Sequence, residues 1–268
     1  MKKTTFFLLL AIFCLQSTGA FAQTDSTHYN LYAYIKVAPG MDADYLKLEK
    51  AWKKIHAAKK KAGKLDSWGL SRVLSPAGAN SEYDYVARNS YLGNVQFAAS
   101  YEEAFMPANW KTLLTPAEVV LVNRTEKIRT VVKEEVWSEV DKAVNDNTKN
   151  WTISVVNYFG SPEGKTVADH IKMEQDIWKP LHAARVKDGN MSGWILRQMD
   201  LPFGESMPYN MMAVDLYTNM TQYLAPWFDT YFKKVHPGKK IDDLMKQTGD
   251  AENLVKGELR MKVDQLDQ

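Results

Sequence analysis

The chain has 268 residues, 34 Lys and Arg against 32 Asp and Glu, a formal net charge of +2, 45% hydrophobic residues and a single cysteine. That profile belongs to a folded globular protein and excludes disorder, collagen-like repeats and a disulfide scaffold. Near-neutral charge leaves no basis for a nucleic-acid partner, because binding to a phosphate backbone relies on clustered Lys and Arg.

The first element is a leader. Met1-Lys2-Lys3 is basic, Phe6 to Cys14 is apolar, and Ala20-Phe21-Ala22 supplies an A-x-A cleavage pattern. Residues 1–22 therefore read as a signal peptide removed before Gln23, which places the mature protein in the periplasm or outside the cell. The apolar run falls short of the about 20 residues a transmembrane helix needs, and no membrane span is expected in the mature chain. Phe13, immediately before Cys14, is too large for a lipoprotein signal. Cleavage would remove the one cysteine, so disulfide and thiol chemistry are excluded.

Leu31 to Val37 is rich in β-formers and ends at Pro39-Gly40. Asp42 to Ala62 reads as a helix, with Tyr45, Leu48, Trp52, Ile55 and Ala62 at three- and four-residue spacing and Gly63 at its end. Strands follow at Trp68 to Leu74 and Tyr83 to Tyr91, joined by a turn over Ser75 to Asn80. A helix near Val95 to Phe105 and a strand from Lys127 to Trp137 complete a βαββαβ unit over residues 30–137. Ser138 to Asn150 reads as a polar linker. Residues 151–268 then repeat the order: Thr152 to Phe159, Ala168 to Lys187, Trp194 to Asp200, Tyr209 to Tyr217, Thr221 to Val235 and Glu258 to Leu266.

The second half also repeats the first residue by residue. At an offset of 126 positions, Trp52-Lys53 falls on Trp178-Lys179, His56-Ala57-Ala58 on His182-Ala183-Ala184, Gly63 on Gly189 and Trp68 on Trp194. Tyr83, Ala87 and Tyr91 fall on Tyr209, Ala213 and Tyr217. An internal duplication follows. A βαββαβ unit forms a four-stranded sheet with both helices on one face, and the bare face of one copy can be covered by the other. The expected fold class is α+β: two tandem βαββαβ ferredoxin-like repeats packing their sheets together as an intrachain α/β barrel.

This order resembles the dimeric α/β-barrel superfamily of ferredoxin-like folds, in which two subunits pair their sheets. The segment Trp178 to His182, with Gly189 and Trp194, is similar to exported bacterial proteins of this general type. The resemblance implies comparison with cofactor-free monooxygenases and haem-degrading enzymes, which use an Asn, a Trp and sometimes a helix-borne His. Asn157 stands on the appropriate strand, whereas Tyr209 to Tyr217 lacks a Trp and His236 comes after the last expected helix. No cofactor is expected on that ground.

Two groups of residues are candidates for binding a ligand. Trp52/His56 and Trp178/His182 lie four apart, one face of a helix each. They read either as an aromatic wall with an acid–base histidine or as core packing, and their presence in both copies favours a shared need of the fold. Tyr83, Tyr85, Asn89 and Tyr91 should share one strand face by the period-two rule, as should Tyr209, Met211, Asp215 and Tyr217. Aromatic walls with an Asn or Asp anchor suit a small apolar or aromatic ligand held between the halves. The rival readings are a monooxygenase-like enzyme using Asn157, Asp215 and His182, or a non-catalytic interaction protein. His170 and Glu174 lie one helical turn apart, but two ligands make no metal site, and His182 is too far along the helix to join them; no metal is expected. Lys133-Glu134-Glu135 reads as a solvated strand edge.

Overall fold

The structure, a computed structural model, describes residues 25–78, 81–102, 106–204 and 207–266. The expected signal peptide lies outside the described residues.

The first strand, β1 (His28–Val37), leads to α1 (Asp42–Lys61), which carries the expected apolar stripe: Tyr45, Leu48, Trp52 and Ile55 are buried. Asp42 and Asp44 in its first turn and Lys59 to Lys61 in its last oppose the helix dipole with the favourable sign. Strands β2 (Ser67–Ser75) and β3 (Tyr85–Leu92) follow, then α2 (Gly93–Glu102), α3 (Pro116–Asn123) and the short α4 (Thr125–Ile128). β4 spans Arg129–Val144. It runs through half of the expected linker because Ser138 to Val144 pair with β6 (Gly193–Leu201).

After β5 (Ile153–Gly160), the expected helix over 168–187 is present but not uniform. α5 (Val167–Met173) passes through a π-helical turn at Glu174–Trp178 into α6 (Lys179–Lys187). Pro180 sits in the first turn of α6, where its missing N–H costs least, and the widened turn before it absorbs the mismatch. β7 (Met211–Tyr217) follows β6. The expected helix over 221–235 is divided at Pro226 into α7 (Met220–Leu224) and α8 (Phe228–Val235), and α9 (Ile241–Ala251), not anticipated from the sequence, precedes β8 (Asn253–Leu266).

The strands close in the order β1-β3-β2-β8-β5-β7-β6-β4, with every neighbouring pair antiparallel. The fold is α+β, with a closed eight-stranded barrel. β2–β8 and β4–β6 join the first four strands to the last four, so a single chain leaves no sheet edge open. Alternation along each strand separates two environments. Outward residues such as Trp68, Leu70, Tyr85 and Tyr91 pack under α1, while Tyr32, Tyr34, Trp137, Tyr158 and Met212 fill the barrel. Each fully buried side chain of this size contributes roughly 1.5–3 kcal/mol.

Candidate functional site

The barrel interior is where the structure concentrates polar chemistry. At the end where β1 and β5 finish and β4 and β8 begin, Tyr34 pairs in register with Lys133 and Tyr158 with Lys256. Immediately beyond both pairs the register slips by one residue, at Tyr34/Ile35 and at Tyr158/Phe159. A bulge of this kind bends its strand and re-aims side chains. Here it precedes two similar runs, Val132-Lys133-Glu134-Glu135-Val136-Trp137 and Val255-Lys256-Gly257-Glu258-Leu259-Arg260, whose alternate residues enter the barrel.

Each run captures the tyrosine of the opposite half. Lys133 Nζ donates to Tyr209 Oη at 2.7 Å, and Tyr209 donates to Glu135 Oε1 at 2.7 Å. Lys256 Nζ donates to Tyr83 Oη at 2.6 Å, and Tyr83 donates to Glu258. Lys133 and Glu135 are 3.1 Å apart, Lys256 and Glu258 2.7 Å. The two groups meet at the centre, where Tyr34 donates to Glu135 Oε2 at 2.5 Å, Tyr34 and Tyr158 touch through their hydroxyls at 3.0 Å, and Arg260 donates to Tyr158. One chain of polar contacts thus crosses the barrel.

Burial raises the pKa of Tyr34, Tyr83, Tyr158 and Tyr209, with the adjoining carboxylates adding to the effect. These phenols stay protonated and serve as donors. Burial also acts to raise Glu258, but Arg260, Lys256 and the Tyr83 hydroxyl outweigh it and hold that carboxyl at about 2. Two carboxyl groups therefore face three basic side chains. Both lysines are about a quarter exposed, whereas Glu135 and Glu258 are almost fully covered. Lys133 and Lys256 lie over the same Tyr83 ring, 5.6 and 5.0 Å from its centroid, a favourable position for a cation.

No family model matches the chain, and no curated protein matches it. Among solved structures it is similar to a candidate monooxygenase from Lactobacillus acidophilus, at 12% identity and TM-score 0.49 over 89% of this chain and 93% of that one. It is also similar to a candidate chlorite dismutase, at 8% identity and TM-score 0.47 over 89% and 95% of the two chains. An anthrone oxidase-like protein matches at 10% identity and TM-score 0.47 over 90% and 93%.

Of the residues proposed from sequence as ligand contacts, Tyr83 and Tyr209 alone stand in this cluster. Tyr83 does not share a face with Tyr85, Asn89 and Tyr91, contrary to the period-two expectation. Asp84 interrupts the alternation: its backbone N–H donates to Ile35, its carbonyl accepts from Val73, and its carboxylate accepts from the Val37 N–H. Asn210 makes the matching backbone bonds before β7, to Phe159 and Met199. Tyr85 and Tyr91 consequently pack with the outward cluster, and Met211 and Tyr217 with its counterpart in the second half.

The Trp/His residues lie between helix and sheet, outside the barrel. His56 stacks on Trp68 at 5.5 Å and 19°, and His182 on Trp194 at 5.5 Å and 15°, with Trp52 and Trp178 alongside. Burial lowers both histidines to a pKa of about 3, so each is a neutral aromatic plate at ordinary pH. Asn89 is the cross-strand neighbour of Trp68, and Asp215 of Trp194. Asp215 is pushed up to about 6 by burial, with Arg185 and Tyr217 opposing the shift. Asn157 alternates with the inward Val156 and Tyr158 and faces Gly257 on β8. On the outer face His182 and Asp215 share Trp194 and Arg185 as neighbours, and Asn157 pairs with Ala213, two residues from Asp215 along β7. His236 lies within 3.0 Å of the Ile177 carbonyl through its Nε2 and takes no part in the barrel.

The residues missed from sequence are Tyr34, Lys133, Glu135, Tyr158, Lys256, Glu258 and Arg260. Glu135 is 2% exposed, which overturns the reading of Lys133-Glu134-Glu135 as a solvated edge; only Glu134 faces out. A signal existed in the V-K-x-E pattern shared by the two runs. It lies at an offset of 123, not 126, so the ungapped comparison passed over it.

Proposed function

We propose that the chain is a tandem duplication of one ferredoxin-like unit, exported by residues 1–22, whose barrel end binds a small planar aromatic molecule carrying a carboxylate or phenolate. The duplication is supported by matching landmarks: β2 and β6 coincide at the offset of 126, both bulges follow an equivalent Tyr–Lys pair, and Tyr83 and Tyr209 play equivalent parts. Export is supported by the leader pattern alone.

The observation that carries the ligand reading is the convergence of Lys133 and Lys256, one from each half, over the Tyr83 ring. An excess of basic groups above aromatic side chains favours an aromatic anion: the charge would meet the partly exposed ammonium groups, and the ring would reach the tyrosines beneath, 6% exposed or less, only as these give way. The buried carboxylates below would then orient the lysines rather than contact the ligand. The fold also hosts enzymes, but Asn157, Asp215 and His182, assigned from sequence to an oxygenase-type reaction, lie on the outer face and not at this barrel end, where the lysine pair supports binding.

Titration calorimetry with 4-hydroxybenzoate and the neutral 4-hydroxybenzamide tests this reading. One equivalent of the acid should bind and the amide should bind at least 10-fold more weakly, consistent with loss of a charge-assisted contact worth about 1.5–3 kcal/mol. Equal binding of the two, or binding of neither, contradicts it.

A further inference from the structure

The second half contains a buried polar cluster whose charges differ from those at the same place in the first half. His170 on α5, Glu174 at the first residue of the π turn, and Glu252 between α9 and β8 converge beneath Phe159, whose ring lies 5.3 Å from that of His170. His170 Nε2 is 3.3 Å from Glu252 Oε2 and 3.7 Å from Glu174 Oε1. One donor atom from each of the three lies within 4.8 Å of the others. The residues are 1%, 3% and 9% exposed. His170 Nε2, Glu174 Oε2 and Glu252 Oε2 have no hydrogen-bond partner among the described residues.

We propose that His170, Glu174 and Glu252 form a binding site for one divalent first-row transition ion, of which Zn²⁺ is the best match. A tetrahedral ion with ligands at about 2.0–2.2 Å separates those ligands by about 3.4 Å, close to the two distances found. One imidazole and two carboxylates form a set of intermediate softness, suited to Zn²⁺ and Co²⁺ more than to Mg²⁺ or Ca²⁺. An ion would also satisfy the unpartnered donor atoms, whose burial otherwise carries a cost. Burial lowers the pKa of His170, favouring the neutral imidazole that ligates; desolvation raises both glutamates, with Asp215 adding for Glu174 and Glu174 for Glu252, and a bound ion would displace their protons.

The first half acts as an internal control. Because the π turn adds one residue, the buried positions before it match at an offset of 125, and the bulged strands match at 123: Tyr45, Glu49 and Arg129 take the places of His170, Glu174 and Glu252, with Glu49 buried and 3.5 Å from Arg129. There a guanidinium stands against the one buried carboxylate; in the second half a second carboxylate takes its place, and a bound cation would supply the positive charge that the guanidinium supplies in the first. The π turn, which begins at Glu174, has no counterpart in α1. The third ligand lies 78 positions beyond Glu174 in the chain, which is why the i, i+4 pair alone did not indicate a site.

The test uses the purified chain, stripped with a chelator and titrated separately with Zn²⁺ by calorimetry and with Co²⁺ by visible absorption. One ion per chain is expected, with Co²⁺ bands of low-coordinate type and a rise in melting temperature with Zn²⁺. Glu174→Gln and Glu252→Gln keep the side-chain shape and remove a ligand charge; each should weaken binding by about 10-fold or more, while near-ultraviolet circular dichroism confirms that they fold. Absence of stoichiometric binding, a Co²⁺ spectrum unchanged from the aqueous ion, or folded Gln variants that bind as tightly as the parent would overturn the proposal.

Discussion

The two clusters at the barrel end use the same lysine, glutamate and tyrosine but differ in the residue two positions beyond the glutamate. In one, Trp137 donates its indole N–H to Glu135 Oε2 at 3.1 Å. In the other, Arg260 clasps Glu258 Oε2 through Nε at 2.9 Å and Nη2 at 2.5 Å. A neutral donor thus supports one carboxyl group and a guanidinium the other. The difference shows how a symmetric scaffold acquires a direction: both halves present a lysine at the surface, but only one carries the additional charge beneath it.

That contrast can be broken most sharply at Arg260. Arg260→Met leaves Glu258 buried with Lys256 as its one remaining basic neighbour and should cost about 3–5 kcal/mol, as expected when one partner of a buried ion pair is removed. Trp137→Phe removes a neutral donor and some packing and should cost about 1–3 kcal/mol. Chemical denaturation of the two variants measures both, and equal losses would dissolve the distinction.

The histidines provide a comparison in which the halves agree. With folded pKa values of about 3, His56 and His182 resist protonation in the native state, while the unfolded chain takes up protons below about 6.5. Their stabilising effect is complete above pH 6.5 and declines as the pH falls toward 3. By pH 5 each should have lost about 2 kcal/mol. His56→Phe and His182→Phe should each flatten the acid limb of the stability profile by a similar amount. A profile unchanged by either substitution would count against both stacked, neutral rings.

A smaller effect is expected where the clusters touch. Tyr34→Phe and Tyr158→Phe, combined in a double-mutant cycle, should show a coupling of about 1 kcal/mol for the shared hydroxyl contact. Additive losses would mean that the clusters act independently. Smallest of all should be the stability change in Lys256→Met, about 1 kcal/mol, because Arg260 still holds Glu258, whereas Lys133→Met takes the ammonium from the buried Glu135 and should cost about 3 kcal/mol.

The barrel was largely legible in the sequence because it depends on periodicity and on rare residues retained at a constant spacing. Trp68 and Trp194 mark β2 and β6, and the stripe from Tyr45 to Ile55 marks α1. Polar function was less legible for two physical reasons. Asp84 and Asn210 each break the alternation, so the face assigned to Tyr83 and Tyr209 did not extend to their neighbours. The bulged strands β4 and β8 match at a different offset, since the connections before them differ in length. Lys133 and Glu135 then looked like an ordinary charged strand, and only closure of the barrel turns them inward.

The central claim is that Lys133 and Lys256 together create an anion-selective aromatic site at the barrel end. It is tested most directly by calorimetric titration of 4-hydroxybenzoate into the parent chain, each single Met variant and the Lys133→Met/Lys256→Met double variant. The account predicts binding to the parent, a loss of about 10-fold for each single variant and no measurable binding to the double variant, with folding intact in all. Unchanged affinity in the folded double variant would contradict it.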